Sequence, residues 1–525
     1  MSEDGYLLVA LNTHMPFVHD PTTPNCQEET WLYESITEAT LPLIGVFSRL
    51  VEEKIDFRIT VSLSPCLVAM LSTPLIKERY VHYLEDRIGL AQEEQERVGA
   101  SSPLYHLAGW YLESFRHARK VFVDDWGKDL TAAFRYLSDS GKVDFLTSGA
   151  THAYLPLWEL YPRLIDLQIK IGVRYHEHVF GSRPRGFWLP ECAFSLGLDE
   201  LLARNGIRYS YVDSHALLNG HPRPKYGVHA PIHCPAGVAA FARDWMSHDV
   251  VWLKDKGYPG DAHYLDYNRD IGYELPLETV GRFTHQEQRV QTGIKYYRNQ
   301  WVGNSDLYDP SQAFGRCDEH ANDFIRRCQR AVRQISPGLG RKPVLVALFD
   351  TEHFGHWWRE GPIWLDLMIR KMACDQNVVR LVAAPDYLAM YPTNQVIMPN
   401  PSSWGYQGFS ETWLMGRNHW IYPALYTAAD EFEALAQRYP NPPETVRAAL
   451  NQYLREFLVA QASDWAFILH QETTMAYARR KVEDALENMR LIATQLDQGQ
   501  VDSELLQRFQ ARNNLFADID LLDLY

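Results

Sequence analysis

A chain of 525 residues with a net charge of −15 is a poor partner for nucleic acid or an anionic membrane surface, and its 46% apolar content suffices for a large core and more than one domain. Seven cysteines, odd in number and without a CxxC pair, point to reduced thiols in a cytoplasmic compartment and away from a zinc knuckle. A neutral polymer remains as a partner, and an aromatic content of 13%, with 15 Trp and 29 Tyr often beside Gly, Pro, His or acids, suggests a carbohydrate or aromatic ligand.

The first apolar run, residues 6–11, has no basic segment or cleavage site ahead of it and reads as a strand rather than a signal peptide. It ends in Asn12-Thr-His14-Met-Pro16. Trp31, early on the first helix, is a candidate to line a cleft, although a helix aromatic is more often core. The next β-rich run, 57–63, ends in Ser62-Leu-Ser-Pro65, and from 76 to about 141 Glu, Arg, Leu and Tyr recur at helical spacing, an excursion from the main pattern. Further runs follow at 143–146, leading to Thr147-Ser-Gly-Ala-Thr-His152, and at 185–188, leading through a proline to Glu191. The run 209–212 leads to Asp213-Ser-His215. A stretch from 217 to about 323, too long for a simple connection and rich in Gly, Pro, His and Tyr, reads as an elaborated functional loop region. The run 344–349 stops at Asp350, and 379–383 stops at Pro385-Asp386. Seven strands alternating with helical patterns predict a parallel sheet closed, or nearly closed, into a barrel, whose C-terminal edge then carries the chemistry. Beyond about 400 long amphipathic patterns at 425–438, 443–462 and 473–496 predict a helical C-terminal domain, 399–525, packed on the mouth of a barrel domain, 1–398. No apolar run reaches the ~18 residues of a membrane span.

Two strand ends stand out. Arg185-Gly-Phe-Trp-Leu-Pro-Glu-Cys-Ala-Phe194 delivers Glu191, and Lys342-Pro-Val-Leu-Val-Ala-Leu-Phe-Asp-Thr-Glu-His-Phe-Gly-His-Trp-Trp358 delivers Asp350. Two carboxylates on buried strands, each hemmed by tryptophan, suit acid-assisted cleavage of a sugar acetal, in which one group stays protonated and the other ionised. Glu352, two residues beyond Asp350, is a rival for the acid. His14 and His152 read as hydrogen-bonding partners of sugar hydroxyls rather than as a zinc site, because no third His or Cys stands at ligand spacing. His353 and His356, beside tryptophans, read as packing residues.

His14-Met-Pro16, Ala150-Thr-His152, Trp188-Leu-Pro-Glu-Cys-Ala193, the stretch from Phe349 to Trp358, and Trp404-Gly with Trp413 resemble, in order and spacing, the five sequence regions of glycoside hydrolase family 57. Within that family the chain is similar to the 1,4-α-glucan branching enzymes. The resemblance implies an α/β fold, a distorted (β/α)7 barrel with helical insertions and an all-helical C-terminal domain. It also implies Glu191 as nucleophile and Asp350 as general acid/base of a retaining double displacement on amylose- or glycogen-type glucan, without cofactor or metal. By the same similarity Arg243, Gly260, Trp404 and Asp464 are substrate contacts, Asp464 lying in the polar break Ala462-Ser-Asp-Trp-Ala466. Trp252, Trp404 and Trp413 are expected as sugar platforms, although a core role for Trp413 and an interhelix hydrogen bond for Asp464 stay open. Tyr226 is the candidate for a mobile-loop tyrosine over the intermediate. A cytoplasmic monomer completes the expectation. The alternatives are an α-amylase-like hydrolase or a 4-α-glucanotransferase of the same family, a catalytically silent glucan-binding protein, and a deacetylase-like metalloenzyme, which needs an Asp/His/His triad that spacing does not assemble.

Overall fold

The computed structural model describes residues 3–299 and 306–525, so residues 300–305 of the predicted 217–323 loop region lie outside the described residues. One sheet contains β1 (Gly5–Thr13), β2 (Ile59–Leu63), β3 (Val143–Ser148), β4 (Gly186–Trp188), β5 (Tyr209–Val212), β6 (Ile232–His233), β7 (Ala239–Ala242), β8 (Val344–Asp350) and β9 (Val379–Leu381). Its order is β6-β7-β5-β4-β3-β2-β1-β8, with β9 paired to the first residues of β1. Among the described residues of this sheet only the β6–β7 ladder is antiparallel. The seven strands β7-β5-β4-β3-β2-β1-β8 curl into a parallel barrel, and an Asp244 N–H to Val346 C=O hydrogen bond of 2.7 Å bridges its open seam.

All seven predicted runs are strands, yet the barrel's seven are a different set. Ala239–Ala242 is the sixth barrel strand and sits inside the stretch expected to be loop; three alanines with one aromatic carry too weak an apolar signal. The run at 379–383 gives β9, which lies off the barrel path. Asp386, expected at an active strand end, instead accepts from the Ala383 N–H at 3.0 Å and from Arg58 Nε at 2.7 Å, tying down the following helix.

Period-two alternation decides what faces the lumen. Tyr6, Leu8 and Ala10 of β1, Tyr209 and Tyr211 of β5, Ala239 and Phe241 of β7, and Val344, Val346 and Leu348 of β8 fill it, while Leu7, Val9 and Leu11 pack outward under the helices. Fully burying each such aliphatic side chain stabilises by roughly 1.5–3 kcal/mol, so the lumen is a solid plug. The same alternation carried one step further places Asn12, Asp213, Arg243 and Asp350 on top of that plug. Between β2 and β3 run the helices Pro74–Val98, Tyr105–Lys120 and Leu130–Asp139. The C-terminal helices Ile421–Arg438, Glu444–Ala460, Ser463–Gln471, Met475–Asp497 and Ser503–Arg512 dock on the mouth. Thr151 Oγ1 donates to the Leu458 carbonyl at 2.6 Å and Ser463 N–H to the His152 carbonyl at 3.1 Å. Among the described residues no helix is long and apolar enough to cross a membrane.

Candidate active site

β4 ends at Trp188, and after Leu189-Pro190 the chain turns through two successive left-handed residues, Glu191 at φ 61° and Cys192 at φ 49°. Non-glycine residues held there cost on the order of 1–3 kcal/mol each, strain that persists where surrounding contacts over-determine the turn. Cys192 joins the lumen plug, and the Glu191 carboxylate is thrown into the mouth. Ser463 Oγ donates to Oε1 at 2.7 Å and Trp404 Nε1 to Oε2 at 2.8 Å. Ser463 has a single hydroxyl hydrogen, which goes to Glu191; His152 Nδ1, 3.1 Å from Ser463 Oγ, must therefore carry the proton of that contact. His152 Nε2 is then a bare acceptor, buried and without a partner among the described residues. Burial and the neighbouring His14 charge hold the His152 ring neutral, well below the ordinary histidine range.

His14 is its opposite. Nδ1 lies 2.9 Å from Ser64 Oγ and Nε2 lies 2.9 Å from Asp464 Oδ2. Burial disfavours the charged ring, but the Asp464 carboxylate outweighs it and the pKa rises, favouring imidazolium. The two rings stack at 4.0 Å with 13° between planes. His14, His152 and Asp464 thus form an Asp/His/His group whose donor atoms lie within 4.8 Å of one another, a correction to the expectation that none can be assembled. Its members come from three distant stretches, so spacing could not reveal it. Near-parallel rings direct their lone pairs side by side rather than onto one point, and both His14 nitrogens are already engaged, so the arrangement suits hydrogen bonding better than tetrahedral chelation.

Asp350 ends β8 in register with Asn12, whose Nδ2 donates to Oδ1 at 3.2 Å. Burial, and then the charge of Glu191, push the Asp350 carboxyl up to about 7. Burial also raises Glu191, but the Ser463 and Trp404 hydrogen bonds oppose it. The two acids titrate as a pair in which Glu191 ionises first and Asp350 keeps its proton, the division of labour that an acid and a nucleophile require. Glu352 is also raised to about 7, by burial and then by Asp350, but its carboxylate turns to Ser35 Oγ at 3.0 Å.

A second polar node caps β5 and β7. Asp213 Oδ1 accepts from Ser214 N–H at 2.6 Å and from Trp245 Nε1 at 3.3 Å, and Oδ2 is paired with Arg243. His215 bonds Asp213 through Nδ1 at 3.2 Å and the Gly408 carbonyl through Nε2 at 2.6 Å. Burial disfavours the Asp213 charge, but His215 and Arg243 overcome it and hold its pKa at about 2. Arg243 Nη1 also donates to His248 Nε2 at 3.1 Å.

Of the remaining expected contacts, Trp252 packs on His248 and His353 at 5.5 and 4.9 Å beside the loop that follows Asp350. Gly260 follows the helix that ends at Trp252, at a place where a Cβ would collide with the Lys254 carbonyl, so packing alone accounts for its identity. Trp413 is corrected from platform to core: it is 1% exposed and stacks on Tyr154 at 4.4 Å, beneath the turn that carries Trp404. Tyr226 is corrected outright. Its ring lies 5.0 Å from the Arg341 guanidinium, and the neighbouring His229 carbonyl accepts from Val344 N–H at 2.9 Å, at the start of β8. Asp350 is at the other end of that strand, about 20 Å away at 3.3 Å per residue. Trp31 packs edge-on to Tyr477 at 5.6 Å. His353 is tied to the Val251 carbonyl at 2.8 Å and His356 to Glu38 at 2.5 Å. Sequence reasoning missed the parts played by Asn12, Ser64, Trp245, His248 and Ser463; only the period-two continuation of β1 signalled Asn12.

A parallel barrel whose mouth opposes a hydrogen-bonded carboxylate to a buried, protonated one defines an enzyme acting on glycosidic bonds. The sequence profile of glycosyl hydrolase family 57 matches residues 8–398, and that of the C-terminal region of 1,4-alpha-glucan branching enzyme matches 424–523. The chain belongs to glycosyl hydrolase family 57. It is 30% identical to a 1,4-alpha-glucan branching enzyme of Thermococcus kodakarensis, over 98% of this chain and 78% of that protein. The solved structure of that enzyme superposes with a TM-score of 0.88 at 29% identity, covering 98% of this chain and 96% of that one. The structure of AmyC from Thermotoga maritima, named a novel alpha-amylase, superposes with a TM-score of 0.91 at 35% identity, covering 100% of this chain and 99% of that one.

Proposed function

We propose that the protein is a 1,4-α-glucan branching enzyme, which cleaves α-1,4 links in an amylose- or glycogen-type chain and transfers the cut chain to a 6-hydroxyl. The observation that carries this reading is the nucleophile's setting: Glu191 is steadied by Ser463 and Trp404, both from beyond residue 398, in a chain related over nearly its full length to a branching enzyme. A Glu191 oxygen attacks the anomeric carbon while Asp350 gives its proton to the departing glycosidic oxygen, leaving a covalent glucosyl–enzyme. Asp350, now ionised, takes the proton of an incoming 6-hydroxyl as that oxygen displaces Glu191, so two inversions give net retention. Asp464 and the bare Nε2 of His152 supply a charged and a neutral acceptor to the sugar hydroxyls, and His14, its two nitrogens taken by Ser64 and Asp464, holds the Asp464 carboxylate in place.

The division at 398/399 assigns the barrel the acid and the nucleophile, and the helical unit the groups that hold the nucleophile. The reading extends to a cytoplasmic monomer, supported for the compartment by seven free thiols. The likeness to AmyC favours one other reading, hydrolysis with water as acceptor. Amylose incubated with the enzyme and then treated with isoamylase separates the two. New isoamylase-sensitive chains with few immediate reducing ends are expected; immediate reducing ends without branches overturn transfer in favour of hydrolysis.

A further inference from the structure

The helix Trp245–Trp252 begins and ends with tryptophan. Seven residues make nearly two full turns, so the rings project from one face about 10.5 Å apart along the axis, farther than one sugar ring extends. Asp244, whose side chain accepts from the Ser247 N–H at 3.0 Å, caps the helix start and also closes the barrel seam with its own N–H. Between the tryptophans His248 stacks on Phe349 at 5.1 Å and bonds the Leu348 carbonyl at 2.7 Å, fixing this face against the end of β8 just below Asp350. At the far end Trp252 meets Trp357 edge-on at 6.1 Å.

Trp245 is the unexplained member. It is 54% exposed, and Met246 beside it is 67% exposed. Yet the ring is not free to swing: its N–H is pinned to the Asp213 carboxylate, itself 1% exposed, and the Arg243 guanidinium lies over it at 6.0 Å. Across His215, 5.7 Å from it, stands Phe409, 45% exposed. An indole with its edge anchored by a buried carboxylate and a face turned to solvent is what stacking of a sugar's C–H surface needs, with Arg243 alongside for hydroxyls.

We propose that this helix is a two-tryptophan shelf on the leaving-group and acceptor side of the cleft, with Trp245 as an outer platform for an α-glucan strand. The side follows from its place beside Asp350, the group that protonates the departing oxygen and deprotonates the arriving one. The proposal rests on the α-glucan reading above.

The test uses the full chain carrying Glu191→Gln, which binds without turnover, in native gels containing amylose and, separately, by titration with maltotriose. Adding Trp245→Ala is expected to weaken amylose retardation roughly tenfold, the worth of one aromatic platform, and to leave maltotriose binding unchanged. Trp245→Phe, which keeps a ring and loses the N–H, is expected to retain most of the retardation. Equal retardation with and without Trp245→Ala overturns the shelf and leaves the glucan reading standing. Equal loss in the Ala and Phe variants, or loss of maltotriose binding as well, assigns Trp245 to propping the Asp213 node and overturns it too. Failure of the Glu191→Gln chain itself to be retarded overturns the glucan reading and the shelf together.

Discussion

Asp350 and Glu191 differ less in kind than in their neighbours, and their chemistry is set by that difference. Because Asp350 must hold its proton, the fall in kcat/KM on the alkaline side is expected near pH 7, where its carboxyl titrates. Glu191→Gln and Asp350→Asn are each expected to lose several orders of magnitude in turnover, with azide restoring turnover as a glycosyl azide in a nucleophile-deleted variant. Near-wild-type rates in either carboxamide refute the assignment. The same proton links to stability. The folded Asp350 keeps a proton that the unfolded chain, with its carboxylate near pKa 3.9, releases. Its stabilising share is full below about pH 4 and fades as the pH climbs through about 7, so the decline in melting temperature between pH 5 and 8 is expected to be shallower in Asp350→Asn. Ser463 is a positioning residue: Ser463→Ala is expected to lower kcat roughly 10- to 100-fold with KM little changed. It also removes a hydrogen bond that holds the Glu191 pKa down, so the acid limb of the pH profile moves upward. An unmoved profile rules that role out. None of this was visible from the serine alone, which lies 272 residues from its carboxylate.

At the scale of elements, the loop after β8 is held by its backbone. Gly355 has φ 120° and sits where a Cβ would run into the Glu38 carbonyl. Gly355→Ala is expected to cost about 2–4 kcal/mol in denaturant unfolding and to depress activity by shifting the turn beside Asp350. Tyr226→Ala, at the opposite end of the barrel, is expected to leave turnover unchanged and stability within about 0.5 kcal/mol. The sequence made strands legible wherever a run of branched and aromatic residues outlasted its surroundings, as in β1 and β8. It hid Ala239–Ala242, whose small side chains look like connection until Tyr209–Val212 pairs with them. Trp404 and Trp413 show the same limit for the site. They lie nine residues apart in similar company, yet one bonds the nucleophile and the other is sealed under it, a distinction made by the fold of the turn between them.

For the whole molecule, the division between barrel and helices runs through the active centre. His14 on β1's end pairs with Asp464, and Glu191 with Ser463, so a chain ending at 398 keeps both acids and loses most of what tunes them. Such a truncated chain is expected to be inactive on amylose even where circular dichroism reports a folded barrel; measurable turnover contradicts the role given to the helices. One consequence reaches beyond equilibrium. Synthesis runs from the N-terminus, so the strands and the acid-bearing loop leave the ribosome well before the helix with Ser463 and Asp464 exists. The growing polypeptide is therefore expected to carry a mute barrel, whose chemistry switches on only once the segment bearing Ser463 and Asp464 has been made.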